Sequence, residues 1–360
     1  MRYRLLVILV ICGLLAGWMP SHSAQAARGI PGSSEFGFGA QLNPGGAFAL
    51  DGIHLASNLQ LDWLAIDLSW QAAAPKTGAV DWSRLDVLMK TAERSQVAVC
   101  ISLTEAPDWA MGQAGPDPEK TAQWVVSLAQ RYPVALKALE LFPGANTRQA
   151  WGRQPDANAY LKLWSSVNAA LQKQKSPLLL VAAGLKPILA NVPASEAVDD
   201  LVFLQNLYNG GIKTTLSVLS IRMDSLTGDP LQASSKEENR VFRHYEEVRQ
   251  VMLKNKHESG LVWLTHLSSP ADAPFADPAN QSSWLTQAYG QAKSQLYIGV
   301  AFLNAINLPL SDSGIALIQP DGDYHPFYRA LRDLVAINRS DTLTYRPGRP
   351  KDQTLIKSAK

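Results

Sequence analysis

Cysteine is scarce, with two in 360 residues, Cys12 and Cys100. Cys12 lies in the N-terminal apolar run, so a processed chain keeps Cys100 alone and has no intrachain disulfide framework. Cys100 stands inside "VAVCISL", a setting for buried packing rather than for a reactive thiol. An excess of either charge is also missing. Thirty-three Lys and Arg against 31 Asp and Glu leave +2, and losing Arg2 and Arg4 with the leader brings this to about zero. Without a basic run there is no electrostatic footprint for nucleic acid, and that partner class is excluded. His54, His244, His257, His266 and His325 are scattered, with no H-x-x-x-H or H-E-x-x-H spacing. No P-loop, G-x-S-x-G or EF-hand loop is present either, so neither a metal nor a cofactor is expected.

Long apolar runs are absent too. The one near the N-terminus, Leu5 to Trp18, is short of the roughly 20 residues that span a bilayer. It follows "MRYR" and precedes "PSHSAQAA", whose Ala24-Gln25-Ala26 offers an A-x-A cleavage site, so residues 1–26 read as a secretory signal peptide. The chain is therefore expected outside the cytoplasm, in the cell envelope or secreted. An uncleaved leader, the alternative, makes a membrane anchor. Ile11 stands where a lipoprotein signal carries a small residue, which argues against lipidation at Cys12.

What is present is regular. After a short linker at 27–35, no linker interrupts the pattern until a polar tail at 341–360, so 36–340 is read as one domain. Eight apolar, strand-like runs recur: "FGFGAQL", "LDWLAIDLS", "VAVCISL", "LKALELF", "PLLLVAAGL", "LSVLSIRM", "GLVWLTHL" and "YIGVAFLNAI". Helical segments fall between them, such as "DWSRLDVLMKTAERS", "DPEKTAQWVVSLAQRY", "PDANAYLKLWSSVNAALQKQ" and "VDDLVFLQNLYNG", with Asp81 and Asp117 as start signals and Gly210-Gly211 as a stop. Strands that are apolar throughout are covered on both faces. This alternation predicts an α/β fold, a single (β/α)8 TIM barrel. A doubly wound sheet is the alternative, but no G-x-G-x-x-G follows the first strand. Function in such barrels sits where strands end, here near Asn43, Asp67, Glu105, Gly144, Lys186, Arg222, His266 and Asn304.

Read in order, "WLAIDLSWQAAAPKTGAVDW", "APDWA", "ELFPGAN", "LVWLTHLSS" and "DGDYHPFYRAL" resemble segments of the retaining glycosidases built on (β/α)8 barrels, especially the secreted cellulase-like and β-xylosidase-like members. The likeness runs from about Phe36 to Leu334. It implies a glycoside-hydrolase-like protein, and the resemblance also marks what is lost. Two glutamates do the chemistry of that clan, one as acid/base and one as nucleophile. Set against "E-I-W-N-E-P-N", Pro143 takes the place of Asn, Gly144 of the acid/base Glu, and Ala145 of Pro. Set against "V-W-x-T-E-x-G", His266 takes the place of the nucleophile and Ser268 of Gly. The clan's second-strand Arg is matched by Ala65, its sixth-strand His-Pro by Arg222 and Met223, and its eighth-strand Trp by Leu303 and Asn304. A degenerate, non-hydrolytic member is expected, because an imidazole attacks an anomeric carbon only through an unstable cation.

Three functions remain open from the residues. The first is an oligo- or polysaccharide-binding pseudoenzyme, with Trp70, Trp109 and Trp151 as platforms and Glu105, Arg222, His266 and Asn304 as polar contacts. The second is a structural module that meets an envelope protein partner, its mouth plugged by Arg222, Glu105 and His266. The third is a hydrolase with relocated carboxylates, Glu105 and Asp224, at an inverting separation. Asp67 is expected to be a hydrogen-bonding carboxylate at a strand end.

Overall fold

The strand-like runs close on themselves. In a computed structural model, which describes residues 28–188, 192–224, 226–235, 238–272, 274–307 and 315–343, with side chains as far as 339, eight parallel strands follow one another around a closed barrel. They are β1 (Gly37–Leu42), β2 (Trp63–Ser69), β3 (Ala98–Thr104), β4 (Leu136–Leu141), β5 (Leu179–Leu185), β6 (Val218–Arg222), β7 (Leu261–Leu267) and β8 (Ile298–Leu303). Seven lie within the expected runs, and β3 extends one residue past its own, to Thr104. The leader at 1–26 and the tail from 344 onward lie outside the described residues; positions 341–343 end the last helix.

The helices are α1 (Ala49–Asn58), α2 (Trp70–Ala73), α3 (Ser83–Arg94), α4 (Pro118–Arg131), α5 (Arg148–Trp151), α6 (Ala157–Lys173), α7 (Asp200–Asn209), α8 (Tyr245–Lys254), α9 (Pro278–Lys293) and α10 (Phe327–Leu343). Carboxylates start four of the long ones. Asp117 accepts from the amides of Glu119 and Lys120, Asp156 from Asn158 and Ala159, Asp199 from Val202, and Asp277 from Ala279 and Asn280. Each satisfies N–H groups that the first helical turn leaves without partners. The apolar stripes of α3, α4 and α6 face the barrel, burying Leu85, Leu88 and Met89, then Val125 and Leu128, then Leu163 and Val167.

Inside the barrel, register decides which side chains meet. The lower layers are apolar and hold Trp63, Ala65, Cys100, Ala138, Trp263 and Phe302. Gly39 makes room for them, since a Cβ there would stand 2.4 Å from Phe302 Cδ1. The start of the segment before β1 meets this floor. Trp63 Nε1 donates to the Arg28 carbonyl and Trp263 Nε1 to that of Gly29, both at 2.8 Å. Two buried indole N–H groups need acceptors, and the segment before β1 supplies them. Arg28 and Gly29 thus pack against the barrel floor.

Candidate functional site at the barrel mouth

The upper layer reverses the chemistry of the floor. Asp67 pairs in register with Ser102, and Ser102 with Glu140, so three polar side chains run around the inner wall of β2, β3 and β4. Gln41 from β1, Ser220 and Arg222 from β6 and His266 from β7 complete the ring. Two clusters result.

In the first, buried His266 places Nε2 3.2 Å from Asp67 Oδ2. The Gln41 amide nitrogen lies 2.9 Å from the same ring nitrogen and 3.5 Å from Asp67 Oδ1. Gln41 Oε1 is buried with no partner in the assigned orientation, so turning the amide over offers an acceptor to the ring N–H. Burial opposes ionisation of Asp67, yet the facing His266 and Arg222 hold its carboxyl below the ordinary range. In the second cluster, Glu140 is enclosed, receiving hydroxyl hydrogen bonds from Ser102 and Ser220 at 2.5 Å each. Its pKa is raised by burial, with the Asp67 charge adding to the effect and the two serines opposing it. Above them Arg222 reaches Asp224 at 3.1 Å, and Lys186 stands 3.9 Å from the same oxygen. Burial works against the Asp224 anion, but Arg222, His266 and Lys186 together bring its pKa down to about 2.

The positions that the resemblance sets against the clan's two glutamates can now be located. His266 ends β7 as expected, but its imidazole is walled in and already bonded. Gly144 follows β4 with φ +82°, and its N–H donates to the carbonyls of Ala183 and Gly184. A Cβ at that position would meet Ala150 Cβ at 3.0 Å. Ala65 lies deeper, in the apolar layer. Asn304 is buried, its amide on Ser268 Oγ at 3.2 Å.

Several expectations need correction. Trp70 is buried, stacked on Trp124 and edge-on to Trp109, and Trp151 is buried with its indole N–H on the Ala114 carbonyl. Neither ring is available as a sugar platform; both hold loops together. Trp109 alone of the three is half-exposed, and its N–H is bound to the Ala74 carbonyl. Glu105 is not part of any plug. It is exposed and bonded to Ser69 Oγ, while Asp67, Gln41 and Glu140 fill the mouth beside Arg222 and His266. Sequence reasoning missed Gln41, Ser102, Glu140 and Ser220. A signal was present, since polar residues at inward positions of otherwise apolar strands, such as Glu140 in "LKALELF", have to be satisfied inside the barrel.

This closed eight-stranded barrel matches many solved structures. A family 39 glycoside hydrolase from Bacteroides cellulosilyticus superposes with a TM-score of 0.62 at 15% identity, over 84% of this chain and 64% of that one. The chain thus spans less than two thirds of that protein's length. A β-glycosidase matches at TM-score 0.59 and 10% identity, over 89% of this chain and 100% of that one. A family 5 glycoside hydrolase from Bifidobacterium longum, solved with Manβ1-4GlcNAc, gives 0.59 and 11%, over 85% and 79%. The chain has a glycoside-hydrolase-like (β/α)8 fold. No protein-family model and no curated protein sequence matches it. Within this glycoside-hydrolase-like barrel, the polar and aromatic groups open to solvent at the mouth include the exposed Glu105, the half-exposed Trp109 and Lys186, one edge of Asp67 and the outer edge of Arg222. Among the described residues no cluster of His, Cys, Asp or Glu is arranged to hold a metal ion.

Proposed function

We propose that this glycoside-hydrolase-like chain is an extracytoplasmic binding protein that does not hydrolyse glycosides. One observation carries the reading. Where a retaining glycosidase needs two opposed carboxylates, this barrel has Gly144 with a left-handed backbone and a buried His266 tied to Asp67. Acid/base assistance contributes about 10² to 10⁴-fold and covalent catalysis adds more, so their loss leaves only positioning.

Relocated chemistry is not favoured. A useful acid or base has a pKa near the working pH, and Asp224, held near 2 by Arg222, is neither. Glu140 has the raised pKa of an acid but is sealed beneath the mouth.

The burial of Trp70 and Trp151 favours ligand contacts away from the old groove, with an envelope protein partner as the second reading. The test is thermal unfolding of the chain from Arg28 against neutral and acidic oligosaccharides, with recovery of each sugar. Stabilisation by one sugar class, recovered intact, is the expected result, since a ligand of the native state adds RT ln(1 + [L]/Kd). Turnover at the rate of an intact glycosidase overturns the proposal. A flat panel turns the search to protein partners.

A further inference from the structure

One sizeable concavity lies away from the mouth. A groove of about 930 Å³ lies on the flank of the barrel, between the loop after β3, the loop after β4, and helices α6 and α7. Phe203 beneath it is buried, and Val198 is the half-exposed aliphatic side chain among its lining residues. The walls carry carboxamides and guanidinium groups, with one carboxylate, Asp156, which caps α6 by accepting from the Asn158 and Ala159 amides. Gln113, Gln154, Asn158 and Asn206 are exposed there, and among the described residues their side chains have no hydrogen-bond partner. Arg148 is engaged at 3.6 Å with Glu196, whereas among the described residues the Arg153 guanidinium meets the Gly152 carbonyl alone.

The walls are fixed in place. Trp151 Nε1 ties the β4 loop to the β3 loop through the Ala114 carbonyl at 2.7 Å. Asn146 donates to the Lys186 and Val198 carbonyls, and Thr147 bridges to Ala197, which joins the β4 loop to the β5 loop. The loops that carry the site are already held, so the ordering cost of binding falls on the side chains alone. The buried tryptophan thus frames this groove rather than the mouth.

We infer that this flank groove binds an anionic oligosaccharide, with Arg153 taking a carboxylate and the carboxamides of Asn158, Gln154 and Asn206 taking ring hydroxyls. Planar amides both donate and accept, which suits vicinal hydroxyls, and a guanidinium fork suits a carboxylate. The volume accommodates a ligand of about two or three sugar rings. A peptide is less well matched, because peptide recognition relies on apolar anchor pockets or an open strand edge, and this wall is helical and polar. The inference rests on the reading of the chain as a binding protein and names a ligand class for it.

The probe is trigalacturonate, titrated calorimetrically into the whole described chain, alongside its methyl-esterified form and hexaglutamate. Trigalacturonate is expected to bind, to weaken as salt rises, and to bind at least about tenfold more weakly to the Arg153→Ala/Asn158→Ala variant. Both positions are exposed, and circular dichroism of the variant checks that it folds. No binding, or binding that the double variant leaves unchanged, overturns the inference. Equal affinity for hexaglutamate overturns it in favour of an acidic peptide. Mass spectrometry of the recovered sugar separates the two readings: cleavage products defeat the non-hydrolytic proposal and leave the site assignment standing.

Discussion

His266 Nε2 lies 3.2 Å from Asp67 Oδ2 across the barrel mouth, the ring enclosed and the carboxylate partly open to solvent. The pair joins β7 to β2, elements almost 200 residues apart in the chain, at the height where glycosidases of this fold do their chemistry. Its consequence is structural: this part of the mouth is occupied by the hydrogen-bonded His266 and Asp67 side chains and the Gln41 amide.

Placing glutamates at the two positions aligned with the clan's catalytic pair should not confer hydrolysis. Gly144→Glu forces a side chain onto a φ of +82° and against Ala150, and His266→Glu sets a buried acid beside Asp67 and Glu140. Strain at the first site alone costs about 1–3 kcal/mol. The double variant is expected to be less stable in urea and inactive on aryl glycosides. Substantial turnover would show that the two positions are still aligned for catalysis.

Asp224 links acid stability to the mouth. Its folded pKa, near 2, is below the ordinary value of about 3.9, so its contribution is present above about pH 4 and lost as pH falls through 2. The size is about 2 kcal/mol. Asp224→Asn leaves the Arg222 charge without its main partner and should lower the unfolding free energy at neutral pH by that order. Urea titrations at neutral and strongly acidic pH check both statements, and the variant should lose less stability on acidification than the parent.

His244 makes the opposite pH demand. Burial resists its protonation, but Asp200 at 2.6 Å and Glu247 at 3.3 Å outweigh that and raise its pKa. A raised imidazole stabilises the fold fully below its unfolded value of about 6.5, and the benefit disappears as pH rises through the folded value. His257 and His325 shift the other way, so the measurement is a comparison. Native protein should lose stability relative to His244→Gln as pH is raised from about 6 to about 9. Parallel curves would detach the pair from the pH dependence.

Gly39→Ala is expected to destabilise by about 1–3 kcal/mol, because the added methyl would overlap the Phe302 ring in a filled layer. Pairing it with Phe302→Leu should recover part of the loss. The double-mutant cycle in urea tests whether the two sites are coupled as their contact requires.

Much of this was legible along the chain. Eight apolar runs without alternation could only be strands covered on both faces, and the spacing between them left room for helices, so the barrel followed from local pattern and chain length. The strand-end positions of Gly144, Arg222 and His266 followed as well, because parallel strands that alternate with helices present their C-terminal ends on one side. The surroundings of those residues were not legible. Trp70 and Trp151 stand in loops, where an aromatic can face a ligand or pin a neighbouring loop with equal local logic, and only the meeting with Trp124 and with Ala114 chose the second. Glu140 reads as one acid in an apolar run until barrel closure brings Ser102 and Ser220 to its two oxygens. Local periodicity, a property of neighbours in sequence, by itself determined the barrel and the height of its mouth. Closure across the barrel, which sets contacts between residues tens to hundreds of positions apart, decided that the mouth is filled with paired charges and that the open polar groove lies on the flank.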